Sequence, residues 1–535
     1  MHSQLDSSTA AEPDRPPPVY WLIPLLVAGL RAMPYLATRW VAPLPGLTIP
    51  PVGYNPTDFF AYAGFVHQSA VTGHWLLLNP FTTAAQQARY FLPLFSLLGE
   101  LCRWTGWEVF QVLEWARVPL VFLFFGVLWR FLRPLLPDPR QRLIAGCLVG
   151  FSGGMDGLVL FTAPFWPARL QTVLLESLSH DQGWSTFASM NNPLWVAGLI
   201  LTLVAVRPLL LPQGTQRPRD WLQFGLGFLA AFFVHPYSGL AVLGVALGLP
   251  AVRWVIGLQL DRRRYLLGAG AALVPALGVI ALVARWQDQD EVFRRTTQRL
   301  LGDYQLSIFW YPITFGGLGV LAARGWRLWL RTAAPCRIEV GAWIASVVFL
   351  HTSSLFNGYH FVFQLHLPLC ILAAGALDDL LRHWPTDPPG TRLWAALGLA
   401  VVFQSPLVLT WRSVNQAVAF QVPVEVMRAV ARISRERPGK VYTSSEIGEV
   451  LPAYSSHRVY VGHWFLTPDY LTKRNYFIAL REGRADPGGL VELVQREGID
   501  YVLLPPAMPA PVVDALRPRA KRVETTEGFT LLFMR

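Results

Sequence analysis

The chain has 535 residues, of which 53% are hydrophobic and only 15% charged, with a net charge of +11 and a mean hydropathy of +0.35. Soluble domains carry about 25% charged residues, so one large soluble core is excluded. Nucleic-acid binding is excluded as well, because nearly all the basic residues are arginines set in short loops between apolar runs, where membrane topology accounts for them.

The N-terminal stretch from Met1 to Pro18 is polar and proline-rich and lacks the basic start and small-residue cleavage site of a signal peptide. The first apolar run is therefore expected to persist as a transmembrane helix. A crossing needs about 20 mostly apolar residues. On that measure about eleven spans are predicted, near 19–39, 109–130, 143–163, 192–212, 221–235, 237–257, 265–285, 306–323, 339–356, 363–381 and 392–411. Loop charge gives a direction. With the N-terminus in the cytoplasm, inner loops such as 130–142, 253–264 and 324–337 hold seventeen arginines and the outer loops seven. The asymmetry predicts an inside N-terminus and an outside C-terminal domain. Residues 91–106 are apolar but short and contain Glu100 and Arg103. They are expected to lie along the membrane surface rather than cross it. The first outer loop then runs from about 40 to 107.

Residues 420–535 read as a soluble unit. Helical spacing at 424–436 and 489–498 alternates with strand-like runs at 440–445, 458–462, 500–506 and 529–534. This order predicts a small α/β domain with a largely parallel sheet. The four cysteines, Cys102, Cys147, Cys336 and Cys370, form no CxxC pair, so no disulfide framework or zinc site is expected. No glycine-rich nucleotide-binding pattern occurs in the domain.

Polar residues beside apolar spans are costly and invite functional readings. Asp58 lies in the first outer loop, ahead of His67 and His74. It is a candidate general base or a helix-terminal residue. Asp156 follows two glycines in SGGMDGLV, and a packing or kink role competes there with catalysis. His180 and Asp181 in the next outer loop suit a metal or a phosphate-bearing head group, or a membrane-surface loop anchored by Trp184. His235, before Pro236, caps a turn or lines a cavity. Arg294, Arg295 and Arg299 break the charge trend of the outer side. They are candidates for phosphate binding, or the face of a surface helix with internal ion pairs. Tyr359, His360, Gln364 and His366 open a span with more polar groups than packing needs. His463, Thr467, Asp469 and Lys473 cluster in the soluble unit and could cover the site from outside.

The long first loop carrying TDFFAYAGFVHQSAVTGHW, the many spans and the outer C-terminal unit resemble the GT-C superfamily of integral membrane glycosyltransferases. HPYS at 235–238, HLPLCILAAGAL at 366–377 and LPAYSSHRVYVGHWFLTPDYLTK at 451–473 are similar to a group of uncharacterised bacterial multi-pass membrane proteins. The resemblance implies an all-α polytopic membrane domain with a small extracytoplasmic α/β domain, in a bacterial plasma membrane. It implies transfer of a sugar from a polyprenyl-phosphate donor to a glycan, lipid or protein acceptor. Asp58 would then be the base, and Arg294, Arg295 or Arg299 would hold the donor phosphate. His235 and residues 359–366 would line the cavity. Many members carry an acidic pair in the first loop. Here Phe59 and Phe60 follow Asp58, which weakens a metal site there and leaves a divalent cation as a possible cofactor only. The alternative is a transporter or a non-catalytic envelope-assembly protein. Arg31 is the clearest charged residue deep in a span for that reading.

Overall fold

The computed structural model describes residues 15–53, 55–168, 171, 185–211, 217–257, 262–299, 311–332, 336–353, 358–384 and 388–535. In chain order the helices are α1 (Leu22–Trp40), α2 (Pro56–Thr72), α3 (Pro93–Thr105), α4 (Val109–Leu132), α5 (Pro139–Phe151) and α6 (Asp156–Thr162). Next come α7 (Thr186–Ser189), α8 (Pro193–Leu210), α9 (Pro218–Val234), α10 (Pro236–Val255), α11 (Arg262–Gln289) and α12 (Glu291–Arg299). The bundle closes with α13 (Tyr311–Arg331), α14 (Arg337–Thr352), α15 (Val362–His383), α16 (Pro389–Phe403) and α17 (Ser405–Ala419). The C-terminal unit adds α18 (Val424–Ile433), α19 (Ser445–Tyr454), α20 (Tyr470–Arg481), α21 (Pro487–Glu497) and α22 (Ala510–Leu516).

Among the described residues, six helical stretches are long and apolar enough to cross a membrane: Pro18–Trp40, Val109–Leu132, Pro193–Leu210, Pro236–Val255, Val362–His383 and Gly390–Ala419. The third predicted span is not one continuous helix. It breaks between α5 and α6 at Ser152–Met155, where two glycines weaken the helix. The freed backbone is satisfied from the α16–α17 junction. Gly153 N–H donates to the Val402 carbonyl at 3.1 Å, and Gln404 Nε2 and Ser405 Oγ donate to the Gly154 carbonyl at 2.9 and 3.1 Å. Gly316 interrupts α13 at the same place, with φ of 36°. A Cβ there would lie 2.6 Å from Met155 Cγ. Three interrupted helices thus meet inside an apolar bundle, which is tolerated because the protein itself supplies the hydrogen bonds.

The segment after α1 and the C-terminal unit lie at one end of the bundle. β1 (Leu47–Thr48) pairs with the later strand Val422–Pro423, which becomes β4 once the hairpin β2 (Leu76–Leu77) and β3 (Tyr90–Phe91) is counted. The chain between β1 and β4 therefore traverses the bundle an even number of times. Within the C-terminal unit, β5 (Lys440–Tyr442), β6 (Arg458–Val459), β7 (Tyr501–Leu504), β8 (Arg522–Thr526) and β9 (Phe529–Phe533) form one sheet in the order β6-β5-β7-β9-β8. The sheet is mixed rather than largely parallel: β5 pairs in parallel with β6 and β7, whereas β9 runs antiparallel to β7 and β8. The antiparallel pair arises from a tight turn at Glu527 and Gly528, both at positive φ.

α3 shows the two-faced pattern expected of a helix lying along a membrane surface. It buries Phe95, Leu98 and Cys102 and exposes Leu97, Leu101 and Trp104. α2 lies between α3 and α19. Close approach is possible because Gly64 faces Pro452, where a Cβ would sit 3.2 Å from the proline Cβ. A Cβ on Gly448 would run into the Val461 carbonyl, and one on Gly462 would lie 2.5 Å from the Gly448 carbonyl. The first loop also threads into the C-terminal unit. Asn79 Nδ2 donates to the Leu466 carbonyl at 2.7 Å, Val459 N–H to Pro80 at 2.9 Å, and Thr467 Oγ1 to Phe81 at 3.1 Å. Phe81 itself is fully buried among Ile447, Leu451 and Phe529. Overpacking of this kind costs about 1–3 kcal/mol or more. Gly64→Val is therefore expected to loosen residues 422–535 from the first loop, read as faster proteolytic release of that unit from the detergent-solubilised protein.

Candidate functional site

Asp58 stands in the first turn of α2, whose start is set by Asn55 in the left-handed region and by Pro56. Asn55 Nδ2 donates to Asp58 Oδ2 at 2.6 Å. From the C-terminal unit, His463 Nε2 lies 3.2 Å from Asp58 Oδ1. The tautomer follows from the other ring nitrogen. His463 Nδ1 accepts from the backbone N–H groups of Phe465 and Leu466, each at 3.3 Å, so the ring proton sits on Nε2 and is donated to Asp58. His463 is 5% exposed at its side chain and Asp58 38%, so the carboxylate is fixed from behind and open in front.

Tyr62 lies one turn further along α2, and its hydroxyl accepts from Asn192 Nδ2 at 3.1 Å. Burial and the Asp58 charge push the Tyr62 phenol well above its ordinary range. Asn192 begins α8, where its own carbonyl oxygen caps Leu194 N–H. Trp195 follows, stacked on Phe363 at 5.4 Å between ring centres and edge-on to His360 at 6.1 Å. His360 stacks on Tyr237 at 4.2 Å. Burial pulls the His360 imidazole down to about 4, and the negative charge of Asp58 opposes that pull. Asp58, Tyr62, Asn192, Trp195 and His360 thus make one wall, shared between α2 and the ends of α8 and α15.

The remaining expected site residues divide sharply. His235 and Gln364 come together through Ser238, whose hydroxyl lies 2.9 Å from His235 Nδ1 and accepts Gln364 Nε2 at 3.0 Å. His235 lies beside His360, 6.5 Å between ring centres. His366, expected to line the same cavity, is instead enclosed deeper in the bundle. Its ring contacts Ser152 Oγ at 3.2 Å and Thr186 Oγ1 at 3.0 Å, so it holds helices together. Arg294 and Arg295, expected to bind phosphate, are exposed and paired with carboxylates. Arg294 pairs with Glu291, and Arg295 bonds Glu291 at 2.7 Å and Asp469 at 2.5 Å. Arg295 therefore ties α12 to the C-terminal unit. His180, Asp181 and the side chains of Tyr359, Arg299 and Asp156 lie outside the described residues. No group of three or more His, Cys, Asp or Glu side chains is placed to hold a metal ion among the described residues.

Two buried arginines support the wall from within the bundle. Arg31 donates to the Phe187 carbonyl at 2.9 Å and Asn191 Oδ1 at 3.0 Å, with its guanidinium 3.6 Å from the Phe187 ring centre. Arg117 pairs with Glu114 and donates to the Asn191 carbonyl at 2.9 Å, while Glu114 Oε1 accepts Gly53 N–H at 3.0 Å. Asn191 is held on both its carbonyl groups, which positions Asn192 for Tyr62. Arg31 is thus a fixed strut in this arrangement. Arg89, unmarked in the sequence, does the same for the end of α11 and its junction with α12. It is 5% exposed, donates to the Trp286 carbonyl at 2.9 Å and Gln289 Oε1 at 2.8 Å, and approaches Asp290 at 4.0 Å.

No family model matches the chain, and no curated protein matches it in sequence. Solved structures do match in shape. ArnT from Cupriavidus metallidurans bound to undecaprenyl phosphate is 15% identical, with a TM-score of 0.51 over 97% of this chain and 97% of that one. The Archaeoglobus fulgidus oligosaccharyltransferase tethered with an acceptor peptide is 11% identical, with a TM-score of 0.52 over 91% of this chain and 69% of that one. The arabinofuranosyltransferase AftD from Mycobacteria is 16% identical, with a TM-score of 0.54 over 95% of this chain but 37% of that one. The chain shares the overall fold of these three structures. It is a membrane protein, with six helices among the described residues long and apolar enough to cross a bilayer. At such identities the likeness is one of fold, and a fold hosts more than one activity.

The two classes of arginine predict different losses. Removing one member of a buried ion pair costs about 3–5 kcal/mol, and an exposed pair contributes about 0.2–1 kcal/mol. Arg117→Ala is expected to lower the melting temperature of the solubilised protein strongly, whereas Arg295→Ala changes it little.

Proposed function

We propose that the chain is a membrane glycosyltransferase. It moves a sugar from a polyprenyl-phosphate-linked donor to an acceptor hydroxyl on the outer face of a bacterial plasma membrane. The observation that carries this reading is the presentation of Asp58. Its carboxylate is held on one oxygen by Asn55 and on the other by His463, and it faces an open wall of aromatic and hydrogen-bonding groups. A positioned carboxylate of this kind suits removal of the acceptor proton as the hydroxyl attacks the anomeric carbon, with the phosphate as leaving group. Tyr62, Asn192, Trp195, His360 and His235 follow it inward, a run of aromatic and hydrogen-bonding groups beside the carboxylate of the kind that recognises a sugar. Arg295 seats α12 on the C-terminal unit through Asp469, and Arg294 pairs with Glu291 on α12 itself. The fold likeness to an enzyme solved with undecaprenyl phosphate supports a lipid-phosphate donor.

General base catalysis contributes about 10²–10⁴-fold. Asp58→Asn is therefore expected to reduce transfer at least a hundredfold in membranes supplied with a polyprenyl-phosphate sugar, with folding unchanged. Retention of wild-type transfer would remove Asp58 from the role of base. The orientation is tested separately. With the N-terminus inside, eleven crossings and an outer C-terminal domain, Lys521→Cys in a cysteine-free background is labelled by an impermeant thiol reagent on intact cells. Arg327→Cys is labelled only after the membrane is opened.

A further inference from the structure

The first loop offers one carboxylate at the site, but the fold brings a second from elsewhere in the chain. Glu449 lies on α19, the helix packed against α2, next to the Gly448 that permits the close approach of Val461. Thr57, the residue before Asp58, bears on the Glu449 carboxyl from the first turn of α2. Glu449 Oε1 is enclosed with no hydrogen-bond partner. An enclosed, unpartnered carboxylate oxygen is costly, and a second negative charge beside Asp58 adds to that cost. A proton on Glu449 removes both costs. Four groups bear on Glu449: Asp58 and Thr57 from α2, His463 from the loop after β6, and Glu446 from its own helix.

We propose that Glu449 is the second carboxyl of the site and acts as a neutral acid, so that a single negative charge, on Asp58, faces the acceptor. This rests on the reading of Asp58 as the base. Glu449 is then a positioning residue: through Thr57 it fixes the first turn of α2, and by staying neutral it leaves Asp58 as the lone charge. Burial is the largest cause raising its proton affinity, with Asp58 and Glu446 adding to it, while Thr57 and His463 act the other way. The sign for stability follows. A carboxyl that binds its proton more tightly when docked favours docking at acid pH. That contribution is lost as pH rises from the ordinary carboxyl range through the raised value.

The test is carbodiimide labelling of the full-length wild-type protein, mapped by mass spectrometry. Dicyclohexylcarbodiimide modifies protonated carboxyls in apolar surroundings. Glu449 is expected to be labelled near neutral pH, with labelling falling as pH is raised, while Asp58 stays unlabelled. Labelling of Asp58 in place of Glu449, or none at Glu449, overturns the proposal. In the transfer assay, Glu449→Ala is expected to lower the rate about tenfold, the scale of one lost hydrogen bond. Glu449→Gln, which keeps a neutral group of the same shape, restores most of that loss. An equal loss in both variants would mean that a charged carboxylate is needed, and overturns the proposal. Labelling at Glu449 in a protein that transfers no sugar would instead overturn the glycosyltransferase reading and leave the neutral acid standing.

Discussion

The contact on which the site depends is the near-touching of α2 and α19. Gly64 against Pro452 leaves little room for a side chain, so the two helices meet closely. That approach brings His463 to Asp58 and Glu449 to Thr57. Neither the first loop nor the C-terminal unit holds the site alone. The hydrogen bonds from Asn79, Val459 and Thr467 stitch the two together around Phe81, so the carboxylate geometry is set by a packed interface rather than by a mobile loop.

A second constraint comes from within the bundle. Charged groups at membrane depth are tolerated only when they are paired or bonded to backbone. Arg31, Arg117 and Glu114 meet that condition by gripping Asn191 and Gly53. Their effect is to pin the start of α8, and with it Asn192 and Trp195, against the first loop. The interrupted helices near Gly154 and Gln404 follow the same logic, Gly153 N–H and the Gly154 carbonyl finding partners at the α16–α17 junction. Breaks of this kind are tolerated in an apolar interior where neighbouring segments bond the freed backbone.

The site was legible only in part. Asp58 stood out as a carboxylate in the long first outer loop ahead of His67 and His74, and His235, His360 and Gln364 because polar groups beside an apolar span are rare. The arginines at 294 and 295 were equally conspicuous, yet their partners Glu291 and Asp469 turn them into structural ties. Asp469 is 174 residues from Arg295 in sequence, a separation no local pattern reveals. His366 carried the same signal as His360, and only packing against Ser152 and Thr186 tells the two apart. Tyr62, Trp195, Arg89 and Glu449 gave no signal, because an aromatic on a helix or an acid in a soluble unit is ordinary until its neighbours are known. Strand β8 escaped for a similar reason: its charged residues hide a pairing that a two-residue turn enforces.

By itself, the sequence determined the membrane-spanning character, the place of the long first loop and the existence of a strand-and-helix C-terminal unit. These rest on hydropathy, periodicity and charge, which act along the chain and are written in its order. Tertiary structure alone decided which polar residues share a wall, that a histidine from near the C-terminus orients Asp58, and that Arg294 and Arg295, expected to hold phosphate, are bound to carboxylates. Those outcomes depend on contacts between segments as far apart as Asp58 and His463, 405 residues in sequence. Such contacts are fixed by the fit of glycines and buried ion pairs, which no local propensity encodes.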